Sequence, residues 1–263
     1  MCAYIQLSGD TLGLLENKAL EFYHCDEFQN HDSLMMMMET ILQFVHNLTG
    51  RNKDPLKLSG RILTSEADIL SRARKADDEV ASSSLHCYML ILAYVFKDYQ
   101  GAASRTKGID PLLAPPYLHP TLSSFITFCT LSLLAIYNNR QGLARRRILS
   151  TARRTIERLK RFSCYTPENC LGKLYFLQAE LAAVQGKYQH ARCMYASAVG
   201  VLSEVNDKMM HAIACERSGL FLSSLGDEAA SRRYFRKAYE GYIDWGATAK
   251  AEQLKKDMPL IVA

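Results

Sequence analysis

An all-α fold, stacked as antiparallel helix pairs, is what three features of the sequence predict. The first is an internal repeat. Gly186, Ala191, Tyr195 and Ala198 recur as Gly226, Ser231, Phe235 and Ala238, at a constant offset of 40 residues (226 − 186). A small residue at a turn, small residues further along and an aromatic between them suit one helix pair packed on the next, and periods of this size mark helical solenoids. The second is apolar spacing, helical nearly throughout, with no stretch alternating long enough to be a strand. The third is punctuation. Gly50-Arg51-Asn52, Gly101, Asn138-Asn139, Gly186 and Gly226-Asp227 separate the apolar segments, and Gly or Asn there suits a left-handed helix end.

The spacing places helices near 11–26, 33–48, 64–77, 80–98, 121–138, 142–161, 169–184, 188–204, 208–224 and 228–244, with a short last helix near 247–257. The whole of 1–263 reads as one TPR-like helical-repeat domain, with less regular helices over 1–107 and helix-pair repeats over 121–259. Met35-Met36-Met37-Met38 must point to several sides of its helix, so part of the run is core rather than an adaptable binding surface. Tyr99-Gln100-Gly101-Ala102 echoes Tyr188-Gln189-His190-Ala191, and Leu143-Ala144 with Ile148 and Ala152 is a looser copy. The Pro-rich stretch 108–120 reads as an inter-repeat loop. No Asp, Glu, Lys or Arg stands between Asp110 and Arg140. The helical part of that run is short for a membrane span and rich in Ser and Thr, so a helix buried on all sides is expected instead.

Composition is that of a globular protein, 48% hydrophobic and 22% charged, and a net charge of +5 does not by itself imply nucleic acid. Eight cysteines are scattered without a CxxC pair, and the opening MCAYIQLSGD lacks the basic start and apolar core of a secretion signal. These features point to a reducing, cytoplasmic setting.

The strongest charge feature is a basic helix. Arg140, Arg145, Arg146, Arg147, Arg153, Arg154, Arg158, Lys160 and Arg161 are opposed by Glu157 alone, while Ala144, Ile148, Ala152, Ile156 and Leu159 form an apolar stripe. One face packs and the rest is cationic. Solvation alone explains such a face. If it binds, an acidic protein partner through Arg145, Arg146, Arg153, Arg154 and Arg158 is favoured over nucleic acid, because no aromatics interleave with the charges. His190 with Cys193 and His211 with Cys215 sit one helical turn apart, but at apolar positions, so buried thiols are expected rather than zinc. Gly172-Lys173 and Gly186-Lys187 lack the earlier Gly and the following Ser or Thr of a phosphate-binding loop. No catalytic, metal or cofactor-binding residue emerges.

Two blocks carry a family resemblance. One is Tyr165-Thr166-Pro167-Glu168-Asn169 with Leu174-Tyr175 and Ala179-Glu180-Leu181. The other is Trp245-Gly246-Ala247-Thr248-Ala249-Lys250 with Leu254 and Pro259. Asn47-Leu48-Thr49-Gly50, Leu58-Ser59-Gly60 and 93–99 add weaker similarity. Together they resemble the helical region of large multidomain signalling proteins. In those, a protein-kinase-like domain and a predicted AAA-type ATPase precede the helices, and GAF and histidine kinase domains follow. The resemblance implies a scaffold or protein-interaction module, or a regulatory segment of an enzyme whose catalytic parts lie elsewhere. It transfers no catalytic residue, and the residues make sense as packing without it: Pro167 suits a helix start, Trp245 closes the last repeat and Gly246 gives that helix its exit.

Overall fold

The structure, a computed structural model, describes residues 11–106 and 119–259, and for 28–29 and 119–122 the backbone alone. Every regular element among the described residues is helical. In order they are α1 (Leu12–Tyr23), α2 (Asp26–Gln29), α3 (Asp32–Leu48), α4 (Glu66–Lys75), α5 (Glu79–Val95), α6 (Tyr99–Arg105) and α7 (His119–Ala135). A 3₁₀ turn over Tyr137–Asn139 leads to α8 (Gly142–Ser163), α9 (Pro167–Val184), α10 (Tyr188–Glu204), α11 (Lys208–Ser224), α12 (Glu228–Trp245) and α13 (Thr248–Asp257). From α8 to α13 each helix packs on the next, and the short connections make neighbours antiparallel. The predicted loop over 108–120 falls outside the described residues, except that α7 already begins at His119.

The turns share one design. Gly186, Gly226 and Gly246 lie in the left-handed region, and so does Asn206, placing a left-handed residue every 20 positions (186, 206, 226, 246). The residue after each donates its N–H back five residues, as Lys187 to Ala182, Asp207 to Leu202, Asp227 to Leu222 and Ala247 to Tyr242. This bond closes the exposed carbonyls of the helix end. Asp207 and Asp227 then cap the next helix, accepting from Met210 and Ala230. Asp77-Asp78 and Lys97-Asp98 repeat the device in the N-terminal part, with φ of 53° and 68° at Asp77 and Lys97. The 40-residue repeat is therefore two helix-plus-turn units.

One predicted break is corrected. Gly101 lies inside the first turn of α6, not between helices. Asp98 caps that turn by accepting from Gly101 N–H (2.9 Å), and a Cβ at 101 would collide with the Asp98 carboxylate. The glycine makes room for a cap rather than ending a helix.

The charge-free helix is buried, as its hydroxyls suggest. Thr127, Thr130 and Ser132 return hydrogen bonds to carbonyls one turn back, on Ser123, Ile126 and Phe128, which satisfies them without water. Among the described residues no helix is long and apolar enough to cross a membrane. Met36 and Met38 of the methionine run are buried, and Met35 and Met37 half-buried.

Repeat residues fill the helix contacts. Ala191, Tyr195, Ala198, Ser231, Phe235, Ala238 and Trp245 are all buried. Glycines admit close approach: a Cβ at Gly219 would stand 2.9 Å from the Phe235 ring, and one at Gly241 3.1 Å from Ala212 Cβ. Gly219→Ala should therefore destabilise by about 1–3 kcal/mol through overpacking, reduced by about 1 kcal/mol of helix propensity. A chemical denaturation midpoint that rises on this substitution would show that the ring yields.

The stack does not end freely. α3 meets α13, and one apolar cluster runs from Leu12 to Leu254. Thr248 Oγ1 donates to the Thr49 carbonyl (3.1 Å), and Gln253 Nε2 to the Phe96 carbonyl (3.4 Å). The N-terminal helices are folded onto the C-terminal ones.

Candidate functional site

Two charged regions stand out, one outside and one sealed within. The outer one is α8. Ile148, Ala152, Thr155, Ile156 and Leu159 bury its inner face. With its own proton on the Ile126 carbonyl, Thr130 Oγ1 is left to accept from the Thr155 hydroxyl across the α7–α8 contact (3.1 Å). Ala144, expected in the apolar stripe, is exposed, because the buried face begins a turn later at Ile148.

Of the five arginines singled out for a partner, Arg146, Arg153 and Arg154 are exposed and form no ion pair among the described residues. Arg147, Lys160 and Arg161 share that state. Arg145 is half-buried: its guanidinium lies 4.9 Å from the Tyr137 ring centre and donates to the carbonyls of Tyr137 (3.3 Å) and Asn138 (3.1 Å). Arg158 lies over Phe162 at 5.4 Å. These two contacts help seat the helix ends. Leu143 and Tyr165, at either end of α8, are among the most exposed large apolar side chains, at 69% and 86%.

The inner region joins helices far apart in sequence. Arg217 of α11 makes a two-point pair with Glu180 of α9, at 2.7 and 2.8 Å. Tyr195 donates to the same carboxylate (2.7 Å), and Arg217 Nη1 donates to the Tyr99 hydroxyl (3.3 Å). Burial opposes the charge on Arg217, yet the Glu180 carboxylate outweighs it and raises its pKa well above the ordinary arginine value. The residue next to Arg217, Glu216, accepts from Tyr242 (2.6 Å), Lys250 (3.0 Å) and Lys97 (3.1 Å), and Lys97 also reaches Asp257 (2.8 Å). Burial pushes the Glu216 carboxyl up, but Lys250 and Lys97 pull it down further, leaving it below the usual range. Lys173, from one Gly-Lys pair, is mid-helix and bound to Asp207 (3.0 Å). Each of these groups is held by a partner. The N-terminal segment supplies Lys97 and Tyr99, so it covers the inner side of α9 and α11.

The thiols follow burial. His211 Nε2 lies 3.7 Å from Cys215 Sγ, and burial pushes that thiol up to about 12. Cys193, expected to be buried, is exposed together with His190, because Ala191 and Tyr195 take the buried face of α10. Among the described residues no group of three or more His, Cys, Asp and Glu side chains is placed to hold a metal ion.

The N-caps, the left-handed turns at Asp77, Lys97 and Asn206 and the inner ion pairs were not singled out from the sequence. Asn206-Asp207 and Gly226-Asp227 carried a local turn signal; the pairing of Glu180 with Arg217 carried none. The fold and site define an all-helical chain of sequentially packed helices with a cationic outer helix and a sealed inner face. The sequence matches no protein-family model, and no curated protein is similar to it at a significant level.

Proposed function

We propose that this chain is a non-enzymatic, TPR-like scaffold that docks an acidic protein partner on the outer face of α8. One observation supports this above the others: six basic side chains stand exposed on one helix with no ion pair among the described residues. Other helices also carry exposed basic side chains without an ion pair among the described residues, such as Arg232 and Arg233 of α12 and Lys255 and Lys256 of α13, but α8 gathers more of them on one helix. The ionisable groups inside are locked in structural pairs, which favours a binding module over an enzyme. A cytoplasmic setting fits the free thiols, and the resemblance noted above suggests signalling domains, including ATPase and kinase domains, as neighbours. The runner-up reading, a regulatory segment of such an enzyme, uses the same surface.

The test is R146E/R153E/R154E, with binding to a fluorescent glutamate-rich peptide and to a single-stranded oligonucleotide of equal charge. Circular dichroism should be unchanged, since all three side chains are exposed. Peptide affinity should fall about tenfold or more, and wild-type binding should weaken as salt rises. Equal peptide affinity in the variant would reduce the face to solvation. Preference for the oligonucleotide would replace the acidic-protein reading. Saturable ATP turnover by the pure chain would defeat the non-enzymatic one.

A further inference from the structure

We propose that the cleft between α8, α9 and α10 is the anchor pocket for an acidic side chain of the docked segment, an inference that rests on the acidic-partner reading. The cleft encloses about 320 Å³ and is lined by Arg153, Glu157, Gln178, Lys187 and His190 over a floor of Ile156 and Ala182. Its counterpart one repeat later, between α10, α11 and α12, encloses about 210 Å³. The repeat makes the two comparable position by position.

The floors differ in bulk. Tyr195 stands in the later cleft where Ile156 stands in the first, Phe221 where Leu181 stands and Leu222 where Ala182 stands. Larger side chains close the later floor. The rims differ in charge. Arg192, the counterpart of Arg153, is paired with Asp227 at 2.9 Å. Forty positions before Asp227 the turn carries Lys187 instead (227 − 40). The first cleft thus replaces an internal anion with a second cation and leaves Arg153 without an ion pair among the described residues. Arg233 adds a cation to the later cleft, but over a filled floor.

Glu157, where the later cleft has Ala196, keeps the net charge of the two rims alike but forms no ion pair among the described residues. An anion from outside therefore gives Arg153 the direct partner that Asp227 gives Arg192. The guanidinium of Arg153 and the ammonium of Lys187 bind a carboxylate by charge-assisted hydrogen bonds. Gln178 adds a neutral donor, and Glu157 on the same rim disfavours a doubly charged phosphate relative to a single carboxylate. Arg146, Arg153 and Lys160 are spaced seven residues apart, two helical turns, and so share one side of α8. Of the three, only Arg153 lines the cleft, and Arg146 and Lys160 extend its side of α8 in both directions for the remaining acidic residues of the segment.

The test uses K187D and A182L. K187D gives Arg153 the internal anion that Asp227 gives Arg192, and Asp at this N-cap position favours α10. A182L recreates its floor without altering charge. Binding of the fluorescent glutamate-rich peptide should fall about tenfold in each. K255D, which makes the same charge change on exposed α13, should fall less than about threefold, since remote surface charges are screened. Thermal melts establish that A182L folds; if it does not, K187D against K255D decides. Wild-type affinity in K187D, with loss in R146E/R153E/R154E, overturns the pocket and leaves the acidic-partner reading standing. No peptide binding by the wild-type chain overturns both. A phosphoserine peptide of equal charge that binds more tightly, with the same sensitivity to K187D, overturns the assignment to a carboxylate.

Discussion

Glu216→Ala should lower unfolding free energy by about 3–5 kcal/mol, the range for breaking one side of a buried ion pair. Lys250 is 0% exposed, and Glu216 is its ion-pair partner. Without the carboxylate, Lys250 keeps only Gln253 as a hydrogen-bond acceptor, at 3.0 Å. Lys97 retains Asp257 but loses the contact that ties its strained turn to α11. Urea unfolding at neutral pH measures the loss; a change below about 1 kcal/mol would place the pair in the category of exposed bridges. A pH signature accompanies it. The Glu216 carboxyl is lowered in the folded state from an ordinary value of 4.5. Its stabilisation is therefore complete above that value and is lost as pH falls through the lower, folded value. Glu216→Gln should remove that part of the acid limb. An acid limb identical in wild type and variant would assign it to other carboxyls.

Trp245→Ala should cost about 3–5 kcal/mol, because the ring is 1% exposed and its removal leaves a cavity. The effect should spread in two directions. Nearest-neighbour coupling loosens α12 and α13 first. Gly246, in the left-handed turn at 93°, lies against Leu12, whose Cβ would be 3.5 Å from a Cβ at 246. Loosening should therefore reach α1 as well, although it lies more than 200 residues away in sequence. Hydrogen exchange that accelerates over 228–257 and 12–23 together is the expected pattern. Protection over 208–257 equal to wild type would show that Trp245 anchors nothing. Acceleration confined to 228–257 would make the contact with α1 incidental.

The sequence by itself determined the helical class and most helix positions from α7 onward. The reason is range. A helix depends on apolar spacing over a few turns and on the residues at its ends, and Gly186 and Gly226 mark those ends by allowing a positive φ. Where the marker was not glycine, spacing still placed the helix ends around Asp77 and Asn206. The predicted helix over 80–98, however, ran through the turn at Lys97, and the left-handed conformation was not legible at any of the three. Asp77, Lys97 and Asn206 occupy identical turns, so the 20-residue unit was visible only as a 40-residue repeat. The same local logic misled at Gly101, where glycine accommodates a cap. The cationic face of α8 was legible as composition. Which arginines stay free was not, because Arg145 is drawn back by the Tyr137 turn that precedes the helix. Only the tertiary structure decided what lies inside: Lys97 against Asp257, Tyr99 against Arg217 and Glu180 against Arg217 are separated by 160, 118 and 37 residues. No local pattern encodes such pairs. Each side chain is unremarkable on its own helix, and the pairing exists only once packing has removed the water that would otherwise solvate both charges.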